Sequence, residues 1–268
     1  MVGDAHGDPH ASPVLLLHGA GQTRRSWGST AATLAADGFY AVTADLRGHG
    51  ESEWASDGDY SWRTRLDDLV RWSELLGIPA MVGASMGGAL AMSVEGDRAE
   101  RGLDPIARSI VMVDIAHRIE LDGVERIRAF MLERPDGFAD LDEAADSVAR
   151  YLPHRPRPRD TSGLAHNLRL GGDGRYRWHW DPAILDPKYA FDDDDQRRRS
   201  DEAARLRVPV LLVRGRSSDV VSEQTVREFL DLVPQAEHVD VAGAHHMVAG
   251  DVNDAFAGAV VDFLRRHR

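Results

Sequence analysis

Cysteine is absent from all 268 residues, which excludes a thiol nucleophile, disulfides and cysteine-ligated zinc or iron–sulfur centres. An excess of positive charge is absent too. The 44 acidic residues outnumber the 32 basic ones, for a net charge of −12. With no basic stripe the chain lacks the counterion-release affinity that phosphate backbones reward, so no nucleic-acid partner is expected. Lys188 is the single lysine, read here as coding bias without functional meaning. No apolar run approaches the roughly 20 residues of a membrane span. The opening MVGDAHGDPHASP is acidic and polar where a secretory signal would be basic and then apolar, so a cytoplasmic protein without membrane association is expected. The 12 histidines are scattered, without an H-E-x-x-H or H-x-x-x-H pairing. The four aspartates 192–195 lack the alternating spacing and fixed glycine of a calcium loop, and read as a solvated turn and helix start. Neither a metal nor a cofactor is expected.

The hydrophobic fraction is 43% and the charged fraction 28%, ordinary values for a globular α/β chain with a sizeable core. Short apolar runs at 14–17, 39–44, 80–84, 109–115, 208–213 and 236–241 alternate with helical periods. That is the signature of a mostly parallel sheet covered by helices on both faces. Helices are expected at 27–36, at 62–76 closed by Gly77, just after Ser85, and at 252–264 with Asp251 as its N-cap. Residues 117–204 break the alternation and are too long for one crossover. They read as a mainly helical lid inserted into a core made of 1–116 and 205–268.

The string VGASMGGAL places Gly83, Ser85 and Gly87 as G-x-S-x-G between a predicted strand and a predicted helix, the context in which the motif forms a nucleophile elbow. A strand that reverses into a helix within a few residues forces the serine into a strained conformation and leaves room only for small residues two positions to either side, a need that Gly83 and Gly87 meet. A serine nucleophile needs a base, and the base needs an orienting carboxylate. The string RSSDVVS puts Asp219 in the loop after one strand, and AHHM puts His245 and His246 after the next. Consecutive parallel strands are usually neighbours, which favours Asp219 as the acid. Asp114, at the end of SIVMVDI, is the rival. The turn HGAG after the first apolar strand supplies the Ala20 N–H, and the elbow supplies the Met86 N–H, as two donors for a developing oxyanion. His18 reads as a brace for that loop. Candidate pocket residues are Trp27, Asp114, Trp178, Trp180 and Met247; His179, in RYRWHW, reads as part of an aromatic lid that packs on itself.

Together HGAG, DLRGHGES, GASMGG, the Asp219 loop and AHHM resemble the α/β-hydrolase fold over almost the whole chain. The similarity is greatest to small bacterial esterases, lactonases and cofactor-free haloperoxidases or perhydrolases. The resemblance implies that the lid lies between the sixth and seventh family strands. It also implies Ser85 as nucleophile, Asp219 as acid, His246 in preference to His245 as base, and Ala20 and Met86 as oxyanion donors. His49 and Arg47 fall in a stretch that shapes a turn. Two departures stand out: the N-terminal β-hairpin is missing or shortened, and Gly21 stands where haloperoxidase-like members often carry proline. The expected function is hydrolysis of a small carboxylic ester or lactone through an acyl-enzyme. Perhydrolysis and C–C bond hydrolysis are alternatives on the same triad, and a non-catalytic receptor is the alternative from another class. The expected partner is a small-molecule substrate.

Overall fold

The structure, a computed structural model, describes residues 1–157, 159–246, 248 and 253–268. Its strands are β1 (Val2–His6), β2 (Ser12–Leu17), β3 (Phe39–Asp45), β4 (Ala80–Ala84), β5 (Ile110–Val113), β6 (Leu168–Leu170), β7 (Tyr176–Trp178), β8 (Val210–Gly215) and β9 (Ala236–Val241). Seven of them form one sheet in the order β1-β3-β2-β4-β5-β8-β9. Every pairing is parallel except the β1–β3 edge. The register pairs Leu17 with Gly83, Ala84 with Val113, and Val113 with Val213. The carboxyl ends of β2, β4, β5 and β8 are therefore level along one edge, where ligands of open α/β sheets bind.

The continuous apolar runs are buried on both faces, as parallel strands require. Leu15, Leu17, Met81 and Met112 pack into one core, and Leu16, Val82, Val111 and Leu211 into the other. Helix α2 (Trp62–Leu76) starts on Ser61, whose hydroxyl accepts from the Thr64 N–H, and stops at Gly77 with φ +73°. The helix expected from residue 27 begins earlier, as a 3-10 turn at Arg24–Trp27, and becomes α1 at Gly28–Ala36. Helix α3 (Met86–Glu100) follows Ser85 directly. The last helix is Asn253–Arg266; the expected N-cap, Asp251, lies outside the described residues. None of the helices among the described residues is long and apolar enough to cross a membrane.

The N-terminal hairpin, expected to be missing or shortened, is represented by one strand, the antiparallel edge β1. The inserted segment differs from a purely helical lid in two respects. Residues 117–204 are not only helices α4 (Leu121–Leu132) and α5 (Leu141–Tyr151), because β6 and β7 pair into a separate small sheet. This part has its own apolar centre, with Met131, Phe138, Leu168, Trp178 and Trp180. Helix α6 (Asp193–Ala204) lies apart from it, against α3. Ser93 donates to Glu202, and a side chain on Gly96 would come within 2.5 Å of the Glu202 backbone. The aspartate run starts α6: Asp192 accepts from the Asp195 N–H, and Asp195 reaches back to the Asp192 N–H.

Candidate active site

Ser85 stands between β4 and α3 at φ +47°, ψ −116°, a conformation costly for a residue with a Cβ. Packing enforces it. A Cβ on Gly83 would fall 2.3 Å from Gly88 N, and one on Gly87 would fall 2.5 Å from Leu17 O. Gly88, not singled out from the sequence, is as constrained, with Gly83 O 2.5 Å from its Cβ position. The Ser85 N–H donates to Val113 O at 2.9 Å, and its carbonyl accepts from Ala89 N–H at 3.0 Å. Ser85 lines a cavity of about 380 Å³ together with Gly19, Ala20 and Gly21, the aromatic groups of Trp27, Phe130, Tyr151, Trp178 and Trp180, and His246.

The carboxylate behind His246 belongs to Asp114. The His246 Nδ1–H donates to Asp114 Oδ2 at 2.7 Å, Ser218 Oγ–H donates to the same oxygen at 2.5 Å, and Gly215 N–H donates to Oδ1 at 2.9 Å. Asp114 is fully buried, so those three donors stand where water would otherwise be needed. Its φ is +51°, a left-handed conformation that aspartate tolerates better than most residues and that turns the chain sharply at the end of β5. Asp219, expected as the acid, is about half exposed and ion-paired with Arg126 of α4. Strands β8 and β9 are neighbours, as the sequence argument assumed, but that does not bring their loops' functional groups together. Gly215 ends β8 without a side chain, and a Cβ there would lie 2.3 Å from His245 O. The histidine loop therefore crosses the end of β8 and reaches β5. The loop carrying Asp219 is turned to α4, with Asp219 O 2.5 Å from the Cβ position of Gly123. Asp114 itself is behind the histidine and is not part of the cavity wall.

His245 stacks on His154 at 3.9 Å between ring centroids. Trp27, Trp178 and Trp180, named from the sequence as pocket candidates, line the cavity; Met247 lies outside the described residues. Ala20 is in the cavity wall, and a Cβ on Gly19 would be 3.2 Å from Ser85 Cβ, which sets the HGAG loop beside the serine. Among the described residues the Ala20 and Met86 N–H groups donate to no protein acceptor. The Met86 side chain faces away, its Sδ accepting from Arg65 Nη1 at 3.0 Å.

The loop is braced by imidazoles. His18, fully buried, accepts from Leu46 N–H at Nε2 (3.0 Å) and donates from Nδ1 to Gly19 O (2.8 Å). His49 accepts from Gly21 N–H at 3.2 Å and donates to Arg47 O at 3.0 Å. Burial pushes His18 down to about 4, and burial followed by the neighbouring His18 and His179 holds His49 well below the ordinary histidine value. Both are therefore neutral, which their acceptor roles require. Arg47 forms a double hydrogen bond with Asp68, 2.8 Å on each arm, which ties the turn after β3 to α2.

Comparison with known proteins follows the same outline. An esterase of Mycobacterium tuberculosis is 29% identical over 227 residues, covering 81% of this chain and 70% of that protein. The 3-hydroxybutyrate-oligomer hydrolase of Cupriavidus necator is 28% identical over 258 residues, covering 90% and 84%. A solved structure of the mycobacterial esterase superposes with a TM-score of 0.75 at 27% identity, covering 95% of this chain and 86% of that one. E-2-(acetamidomethylene)succinate hydrolase, at 22% identity, shares the fold with a TM-score of 0.83, covering 98% and 94%. The profile of the alpha/beta hydrolase family matches residues 14–259, so the chain belongs to that family of hydrolases.

Proposed function

We propose that the protein is a serine carboxylic-ester hydrolase acting through Ser85, His246 and Asp114. The observation that carries this reading is the His246 ring, which lines one cavity with the strained elbow serine while its Nδ1 is held by a buried carboxylate. A carboxylate accepting from Nδ1–H fixes the tautomer that leaves Nε2 free to take the serine proton, and it stabilises the imidazolium that forms. Ser85 Oγ then attacks the ester carbonyl, and the oxyanion is received by the Ala20 and Met86 N–H groups, the latter at the start of α3 where the helix dipole favours negative charge. His246 returns the proton to the leaving alcohol, and water repeats the sequence to release the acid.

The aromatic and aliphatic wall, including Ile127, Phe130, Leu152, Trp178 and Trp180, suits an ester or lactone with an apolar acyl or alcohol part. A cavity of about 380 Å³ is at the small end of ligand pockets. Perhydrolysis is disfavoured by Gly21. Its φ of +72° is closed to proline, and its N–H is used by His49. The test is a panel of p-nitrophenyl esters and lactones, assayed with the wild type and Ser85→Ala, with fluorophosphonate labelling located by mass spectrometry. Stoichiometric labelling of Ser85 and loss of at least a thousandfold in kcat for the alanine variant are expected. Turnover by Ser85→Ala within tenfold of the parent, about 1.4 kcal/mol in barrier, would sink the assignment.

A further inference from the structure

Three successive peptide groups of the HGAG loop are each held by a different neutral imidazole. His18 donates to the carbonyl of the Gly19–Ala20 peptide (2.8 Å) and His49 accepts from the N–H of the Ala20–Gly21 peptide (3.2 Å). His179, from the segment between β7 and the next turn, is 3.3 Å from the carbonyl of the Gly21–Gln22 peptide through Nε2. Its other nitrogen, Nδ1, accepts from Gly50 N–H at 2.7 Å. A backbone N–H can only donate, so Nδ1 carries no proton and Nε2–H is the donor to Gly21. In a planar trans peptide N–H and C=O point in opposite directions. The Gly19 carbonyl, held by His18, is thus the far end of the peptide that carries the Ala20 N–H; the Gly21 carbonyl sets the Gln22 N–H, which donates to that same Gly19 carbonyl at 3.1 Å, so holding Gly21 through His179 also fixes where the Ala20 N–H aims.

His179 is 2% exposed and does not line the cavity, so it neither touches substrate nor serves only to pack the aromatic lid. Its own position is held from several sides. His179 N–H donates to Asn167 O at 3.1 Å and Asp181 N–H to Gly48 O at 2.8 Å. Tyr60 Oη–H donates to Asp181 at 2.5 Å, and Arg169 donates to Gly50 O at 2.7 Å.

We propose that His179 is a positioning residue for the oxyanion hole, by which the inserted segment holds the Gly21 carbonyl and hence the Ala20 donor. It follows that the part of the lid carrying His179 is a fixed component of the site. This inference rests on the oxyanion reading given above. Removing an oxyanion donor costs about 10²–10³ in kcat; a donor that is loosened loses less, so a ten- to hundredfold fall is expected.

Two variants separate positioning from packing. In His179→Asn the side-chain oxygen can replace Nδ1 towards Gly50, but nothing replaces Nε2–H. In His179→Gln the amide NH2 can reach the Nε2 position and restore the donor to Gly21. The expected result is a ten- to hundredfold loss of kcat in His179→Asn with KM within twofold, and recovery to within fivefold in His179→Gln. The Ala20 and Gly21 amide NMR resonances should move in the first variant and return in the second. Unchanged kcat in His179→Asn, or equal losses in both variants with unmoved Ala20 and Gly21 resonances, would overturn the proposal. If the wild type turned over no ester while the resonances moved and returned as described, the hydrolase reading would fail and the loop-holding role would stand.

Discussion

Replacing Asp114 by asparagine removes one negative charge and almost no volume. The asparagine oxygen can still accept from Gly215 N–H, now 2.9 Å from Oδ1. Its NH2 group would take the place of Oδ2, which now accepts from His246 Nδ1 at 2.7 Å and from Ser218 Oγ at 2.5 Å. A donor facing Nδ1 forces that nitrogen to accept, so the ring proton moves to Nε2 and blocks the atom needed to take the serine proton. The same exchange in a serine protease triad lowers kcat about 10⁴-fold, or about 5.5 kcal/mol of barrier at 1.36 kcal/mol per decade. Ser218 loses its acceptor as well, a further cost of about 1–3 kcal/mol in folding stability, so Tm should fall by several degrees. Asp219→Asn removes only an exposed pair with Arg126, worth at most about 1 kcal/mol, and should leave kcat within twofold. Steady-state hydrolysis of a p-nitrophenyl ester well below Tm measures both variants. A kcat for Asp114→Asn within tenfold of the parent, or a larger loss in Asp219→Asn, would refute the reasoning.

Acid should destabilise the fold before it protonates carboxylates to any great extent. Burial first of all pushes His18, His117 and His179 down to about 4, while the unfolded chain titrates near 6.5. Between those values the unfolded state binds more protons, so stability falls as pH drops from about 6.5 towards 4 and levels off below. At pH 5 that amounts to roughly 2 kcal/mol for each of these imidazoles. Urea midpoints at pH 7.5 and pH 5 measure it, and equal midpoints would mean that the rings are not held neutral. Gly83→Ala should cost about 3 kcal/mol or more, because its Cβ would meet the Gly88 backbone at 2.3 Å and neither side can yield. Gly28→Ala, at φ −54° with nothing within 4 Å, should be neutral or slightly stabilising. Thermal unfolding of the pair gives the contrast, and similar Tm values would contradict the packing argument at the elbow.

The local signals were sufficient wherever the decisive force was local. G-x-S-x-G between an apolar strand and a helix encodes its own steric requirement, since only glycine fits where backbone passes 2.3–2.5 Å from the Cβ position. Buried parallel strands read as continuous apolar runs because both faces are covered, and α2 begins and ends where Ser61 and Gly77 put its caps. The tight HGAG turn after β2 was legible for the same reason. The acid was not. Asp114 and Asp219 both follow strands, and sequence order with neighbouring strands favoured the wrong one of the two for contact with His246. The choice depended on a missing side chain at Gly215, which lets the histidine loop cross β8, and on Arg126, far away in sequence, which draws Asp219 to α4. The sequence carried one hint, an aspartate between Val113 and Ile115 in an apolar strand end, where a buried charge must find donors. His179 was hidden for a similar reason: its two partners, Gly50 and Gly21, are 129 and 158 residues away along the chain, and no periodicity reports contacts of that range. Sequence by itself therefore determined the sheet, the elbow and the serine, whose constraints act within a few residues. The carboxylate behind His246 and the hold of His179 on the HGAG loop were decided only by the tertiary structure, because both arise where segments far apart in the chain pack against one another.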